Sequence, residues 1–208
     1  DLPKAYQISQ MPRPVCLAGT VNINVNGEEK AIRINRIHLE EDAGKLIHDD
    51  VNRISLADYN RCGIPLIEIV TEPDFHSADE VIAFMEKIRL LLQYAGICDC
   101  KMEQGSIRCD VNISIAPKGS SELGTRTEMK NLNSLKAIAK AIEIEIERQE
   151  EILDNGEKVI QQTRRFNEAL GETTAMRSKE DAQDYRYFPS AVFPDLFPRL
   201  AQEPLSGG

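Results

Sequence analysis

A chain of 208 residues with 41% hydrophobic content has enough apolar material for one large packed domain or two small ones. No apolar run reaches the roughly 18 residues needed to cross a bilayer, and the opening Asp1-Leu2-Pro3-Lys4 lacks the basic-then-apolar order of a secretory signal, so a cytosolic protein without membrane contact is expected. A net charge of −9 excludes a surface generally adhesive to nucleic acid, because phosphate contacts require clustered Lys and Arg; any RNA contact has to be local.

The first 15 residues contain Pro3, Pro12 and Pro14 and read as an irregular entry segment that looks cut from something longer. Val21, Ile23 and Val25 then alternate with asparagines, Asn26-Gly27 is a two-residue hairpin signal, and Ile32 and Ile34 resume the alternation. The stretch from Ile37 to Lys45 is acidic and glycine-broken. Ile64 to Val70 is an apolar run of strand length with Glu68 set inside it. Ser77 to Ala95 predicts a helix, with Ser77 as N-cap, Glu80 at the capping-box position and Gly96 as terminator. From Ile107 to Ile115 the alternation returns, placing Arg108, Asp110, Asn112 and Ser114 on a polar face. Gly124 to Lys130 is a further strand candidate. Ser134 to Leu153 is a second long helix whose period is blurred by charge, closed by Asn155-Gly156. Val159 to Phe166 and Thr173 to Met176 predict a hairpin through Gly171. Because the two helices do not look like regular crossovers between parallel strands, the expected class is α+β, a mainly antiparallel sheet with two long helices. Residues 1–189 are expected to form one region, and 190–208 an irregular, truncated tail.

Five places set carboxylates beside strands or turns: Glu40-Glu41-Asp42, Glu68, Glu72-Pro73-Asp74, Asp110 and Glu128. Mg²⁺ takes hard oxygen ligands and often only one or two carboxylates, with water and phosphate oxygens completing its shell, so carboxylates from several strands suit such an ion. The competing reading is a solvated acidic surface. Lys45, Arg108, Arg126 and Lys130 are the cations available to a phosphate group. Gly44-Lys45 lacks the spacing of a phosphate loop. His38, His48 and His76 have no metal-binding spacing, no nucleophile elbow is present, and Cys109 falls on the apolar side of its strand, which predicts an inert thiol. The five cysteines have no zinc pattern either, since Cys98 and Cys100 are one residue apart and no second pair follows.

Pro3 to Gln10 (PKAYQISQ), Arg36 to Lys45 (RIHLEEDAGK), Asn60 to Pro73 (NRCGIPLIEIVTEP), Lys101 to Ser114 (KMEQGSIRCDVNIS), Gly124 to Ser134 (GTRTEMKNLNS), Glu147 to Gln149, Gln162 to Phe166 (QTRRF) and Asp184 to Pro189 (DYRYFP) occur in this order. Together they closely resemble the B-subunit family of bacterial aspartyl/glutamyl-tRNA amidotransferases. The resemblance implies a cradle-like, mainly antiparallel catalytic domain that works with an amidase subunit, plus a small third subunit. It implies ATP- and Mg²⁺-dependent phosphorylation of the side-chain carboxylate of Glu-tRNA(Gln) or Asp-tRNA(Asn), then amidation with ammonia from the amidase.

Carried onto this sequence, the resemblance makes Glu41 the first metal-ligand candidate, with Glu40, Glu68, Asp110 and Glu128 after it. Arg108 and Lys130 become the candidates for contact with the nucleotide phosphates or the acyl phosphate, with Lys45 as a further nucleotide contact. Residues two apart on a strand share a face, so Arg108 with Asp110, and Glu128 with Lys130, agree with that assignment. The family's N-terminal strand with Glu and His, and its helical tRNA-gripping part, have no counterpart in these residues, so amidation by this chain alone is not expected. Two other functions stay open: a non-catalytic scaffold that docks an amidase, and a stand-alone ligase that activates a small carboxylate.

Overall fold

The computed structural model describes residues 7–9, 14–176 and 187–189. The first family-like motif and the DYRYFP motif therefore lie partly outside the described residues, and the expected tail at 190–208 lies wholly outside them. In chain order the elements are β1 (Gln7–Ser9), β2 (Cys16–Val25), β3 (Glu28–Glu41), β4 (Lys45–Asp49), β5 (Ile54–Asp58), β6 (Pro65–Thr71), α1 (Ala78–Tyr94), β7 (Cys109–Ile113), β8 (Thr127–Leu132), α2 (Leu135–Asp154), β9 (Gln162–Asn167), β10 (Glu172–Ala175) and β11 (Tyr187–Pro189). The class is α+β with mostly antiparallel pairing, as the sequence predicts. Two compact units are present, one built around Arg33–Asp74 and the other from Val21–Ile32 and Phe75–Ala182, with β2 and β3 contributing residues to both.

In the first unit, β3 pairs antiparallel with β6, setting His38 opposite Glu68, Glu40 opposite Leu66 and Glu41 opposite Pro65. The expectation of a broken acidic stretch from Ile37 is corrected here: Ile37 to Glu41 is the last part of β3. Ile37 faces Ile69 and Leu39 faces Ile67 across the ladder, and these apolar cross-strand pairs outweigh the acidic composition. Strands β4 and β5 form a separate antiparallel hairpin that local patterning did not announce. Parallel β1 and β11 also belong to this unit.

The turn joining β2 and β3 is the predicted Asn26-Gly27, with φ of 53° and 88°. Both central residues are left-handed, the requirement of the turn whose twist matches a hairpin.

In the second unit, the sheet runs β10-β9-β8-β7. The β9–β10 hairpin forms as predicted, while β8 and β9 are parallel and α2 connects them, so α2 is a crossover helix after all. The sequence signal for this is non-local: only the register of Thr127 with Gln162 and of Glu128 with Thr163 reveals it. Both helices start as expected. The Glu80 N–H donates to Ser77 Oγ at 3.3 Å and the Ala137 N–H to Ser134 Oγ at 3.0 Å. The Glu80 carboxylate does not return to its cap residue; it accepts from the His76 N–H at 2.6 Å and from Lys30 Nζ at 2.7 Å.

Ala137, Ile138, Ala141 and Ile142 of α2 pack with Val81 and Met85 of α1 and with Ile113, Met129, Leu132 and Phe166 of the sheet to form the core. The stripe does not stop at Ile142. Glu145 and Gln149, at helical spacing from Ile138 and Ala141, are also fully buried, which explains why the period of this helix looks blurred by charge.

Candidate functional site

In the second unit, Asp110 on β7 and Glu128 and Lys130 on β8 come together. Lys130 Nζ lies 2.7 Å from an Asp110 oxygen and 3.1 Å from Glu128 Oε1. A register shift between Cys109 and Val111 produces this meeting: Asp110 alone spans the gap that Lys130 and Asn131 span on β8. Asn131 occupies the extra place with φ of 67°, and its amide donates to the Phe166 carbonyl at 2.8 Å. Such bulges re-aim neighbouring side chains. Partial burial alone pulls the Lys130 ammonium down, but hydrogen bonds and charge from Asp110 and Glu128 outweigh it and leave Lys130 above the ordinary lysine value. It is therefore a fixed positive charge, unsuited to taking a proton near neutral pH.

Arg108, just ahead of β7, and Asp110 both line an open cavity of about 720 Å³, with Met102, Ile107 and Leu132 among its apolar walls and Gln104, Asn131 and Asn133 among its polar ones. Cys109 lines it too. Burial and the charge of Asp110 push its thiol up to about 12, so it carries no thiolate at neutral pH, in line with the inert role expected for it.

In the first unit, Glu40 on β3 and Glu68 on β6 lie close enough for their carboxyls to interact. Burial, then the charge of Glu68, raises Glu40 above the usual carboxylate range. The expectation that Glu68 sits embedded in apolar surroundings is corrected: Glu68 is exposed and Glu40 is the half-buried partner, because the apolar side chains next to Glu68 in sequence point to the opposite face. Glu41 is half-buried at the end of β3, and Lys45 is exposed at the start of β4, opposite Asp58. Opposite Glu68, His38 is buried and its Nε2 has no hydrogen-bond partner among the described residues.

The eight predicted site residues thus fall into two groups, each described within its own unit: Glu40, Glu41, Lys45 and Glu68 in the first, Arg108, Asp110, Glu128 and Lys130 in the second. The carboxylate oxygens fit Mg²⁺ in chemical type, and Lys130 already places positive charge between two of them. Among the described residues, no three His, Cys, Asp or Glu side chains gather into a group that could hold a metal ion.

Two features escaped the sequence reading. Thr163 on β9 donates from Oγ1 to Glu128 Oε2 at 2.9 Å. Below the sheet, Glu145 accepts from Arg148 at 2.7 and 2.8 Å and from Gln149 at 2.8 Å, with Arg164 Nε 3.7 Å away. Gln149 also bridges β7, donating to the Ile113 carbonyl and accepting from the Ile115 N–H, both at 3.2 Å. A Glu and a Gln continuing an apolar helical stripe were the available signal, since such residues are rarely buried without partners.

An α+β domain with ionisable strand faces, one of them beside an open cavity, is thereby defined. Residues 1–203 match the family described as the GatB/GatE catalytic domain, and the chain belongs to that family. It is 64% identical over 198 residues to the B subunit of the aspartyl/glutamyl-tRNA(Asn/Gln) amidotransferase of Ruminiclostridium cellulolyticum, covering 95% of this chain and 40% of that protein. Identity to the same protein of Lachnoclostridium phytofermentans is 61% over 203 residues, and to that of Caldicellulosiruptor saccharolyticus 58% over 203 residues, each covering 98% of this chain and 42% of the relative. The chain spans about two fifths of the length of these curated relatives. No helix among the described residues is long and apolar enough to cross a membrane.

Proposed function

We propose that this domain activates the side-chain carboxylate of Glu on tRNA(Gln), or of Asp on tRNA(Asn), for amidation, as part of a cytosolic enzyme with two further subunits, one an amidase, the other small. The Asp110–Lys130–Glu128 constellation beside an open cavity, in a chain that belongs to this catalytic-domain family, carries the reading. A carboxylate is a poor acyl donor. In the proposed reaction its oxygen attacks the γ-phosphorus of ATP and ADP departs with the bridging oxygen. Ammonia then adds to the acyl carbon and inorganic phosphate leaves. Arg108 and Lys130 hold positive charge where phosphoryl oxygens accumulate negative charge, with Lys45 as a further phosphate contact. Asp110 and Glu128 in one unit, and Glu40, Glu41 and Glu68 in the other, are the proposed Mg²⁺-holding residues. Bound Mg²⁺ would supply charge neutralisation at those same oxygens.

The test is amidation by the assembled enzyme under saturating glutamine, with ATP and Glu-tRNA(Gln) or Asp-tRNA(Asn). Lys130→Met is expected to lower the single-turnover rate by roughly 10² to 10³-fold, the scale for losing one preorganised charge-stabilising group. Glutaminase turnover by the amidase should persist. An unchanged amidation rate would remove Lys130 from the reaction.

A further inference from the structure

The segment between α1 and β7 folds around two cysteines that the proposed reaction leaves unused. Cys98 is half-buried and Cys100 buried, with Asp99 exposed between them. The Cys98 side chain turns toward Cys100: its Sγ accepts from the Cys100 N–H at 3.2 Å and donates to the Ser106 carbonyl at 3.3 Å. Cys100, in left-handed backbone with φ of 54°, carries its own Sγ 3.8 Å from the Cys98 carbonyl oxygen. We propose that Cys98 and Cys100 are a thiol-oxidation site: they form a reversible disulfide by exchange with a low-molecular-weight disulfide, and its formation loosens the loop that walls the open cavity.

Both the reach and the order of attack follow from the placement. Cα atoms two residues apart are separated by at most about 7 Å. A disulfide spans about 4.4–6.8 Å, so the loop needs little movement to bring the two sulfurs into bonding range. Cys98 is the accessible thiol. Burial, followed by the neighbouring Cys98, pushes the Cys100 thiol up to about 11, so Cys100 stays protonated in the resting chain and does not attack first. In the first step the Cys98 thiolate attacks one sulfur of R–S–S–R and forms a Cys98–S–S–R bond, while the departing R–S⁻ takes up the proton that Cys98 lost. In the second, the Cys100 sulfur gives its proton to solvent, attacks the Cys98 sulfur and expels the other R–S⁻, which is protonated in turn. Two protein thiols are thereby oxidised and one small disulfide is reduced to two thiols. A disulfide sulfur carries no hydrogen, so the bond from Cys98 to the Ser106 carbonyl is lost. Ser106 closes this loop, its N–H donating to the Lys101 carbonyl at 3.0 Å, and Met102, Gln104, Gly105 and Ile107 beside it line the cavity.

The experiment incubates the full chain with excess glutathione disulfide, reading the cysteines by peptide mass mapping and the loop by hydrogen exchange. A Cys98–Cys100 linkage, lighter than the reduced peptide by two hydrogens and reversed by dithiothreitol, is expected. Amides from Met102 to Ile107 should then exchange roughly two- to fivefold faster, the scale for losing one hydrogen bond from a weak donor. Cys100→Ala should stop at the mixed disulfide, with glutathione retained on Cys98; should that variant melt early, Cys100→Ser takes its place with the same expected outcome. Cys98→Ser keeps a hydroxyl that can donate to the Ser106 carbonyl, so it should form no linkage and exchange slowly with or without the oxidant. Cys98→Ala should exchange fast without any oxidant. Both thiols left free in the unmodified chain, or glutathione retained on Cys98 beside a free Cys100, overturns the oxidation site. A linkage that leaves loop exchange unchanged, or slow exchange in Cys98→Ala, overturns the coupling to the cavity wall.

Discussion

Two glutamates removed from solvent in different parts of the molecule meet opposite electrostatic fates. Glu145 on α2 is fully buried, yet Arg148, Gln149 and Thr127 supply hydrogen bonds to both its oxygens. Burial is the largest single influence on it and pushes upward, but those bonds and the Arg148 charge together hold the carboxyl below its usual range. Glu40 on β3 is only half-buried and shares its surroundings with a second carboxylate, so burial and Glu68 raise it. The first arrangement satisfies every charge it buries and ties α2 to β7 and β8. The second sets two carboxyls side by side, so ionising both costs free energy that a bound cation would relieve.

The largest test of this contrast is Glu145→Ala, which leaves the Arg148 and Arg164 guanidiniums beside a cavity with no carboxylate. Breaking one side of a buried ion pair costs about 3–5 kcal/mol, and urea unfolding should show that loss in the midpoint. A cost under about 1 kcal/mol would mean the network adds nothing to the packing around it. Ile138→Ala supplies the apolar reference on the same helix: Ile138 is fully buried, and its truncation should cost about 2–5 kcal/mol.

Opposite displacements give opposite pH dependences. Glu145 is held below the ordinary carboxylate value of 4.5 in the folded chain, so its contribution is complete above pH 4.5 and is lost as pH falls through the lower folded value. Unfolding of the native chain should therefore steepen with acid below pH 4.5, and Glu145→Gln should flatten that part of the profile. Glu40 is held above 4.5, so the favourable protonated pairing is complete below pH 4.5 and is lost as pH rises through the raised folded value. In chelator at pH 8, Glu40→Gln should raise the melting temperature by a few degrees; at pH 4 the gain should vanish. Equal gains at both pH values would show that the pair is not the cause.

Local signals carried much of this architecture in the sequence. Ser77 and Ser134 mark both helix starts, Asn26-Gly27 marks its turn, and alternation marks the strand of Asp110, because each depends on neighbours within a few residues. Non-local facts were hidden. Nothing near Glu128 in sequence announces Thr163, 35 residues away, since the contact depends on a parallel register created by a whole intervening helix. The partner of Glu40 lies across a ladder whose pairing is not a local property. Placement beside strands and turns nominated the site candidates, motif resemblance ordered and assigned them, and the strand period supports only which of them share a face.

The smallest effect belongs to Asn131, which sets the bulge that turns Lys130 toward Asp110. Its side chain contributes a hydrogen bond to the Phe166 carbonyl, worth about 1 kcal/mol, and its backbone sits in the left-handed region. Asn131→Gly removes only the bond, because glycine adopts that conformation freely. Asn131→Ala removes the bond and adds about 1–2 kcal/mol of backbone strain. The difference between the two variants in urea midpoint thus isolates the backbone cost of the bulge. If Ala proves as stable as Gly, the strand has relaxed out of the bulge. Lys130 should then lose its contact with Asp110, which would appear as an Asp110 carboxyl signal that no longer responds to Lys130→Met in carbon-detected NMR titration.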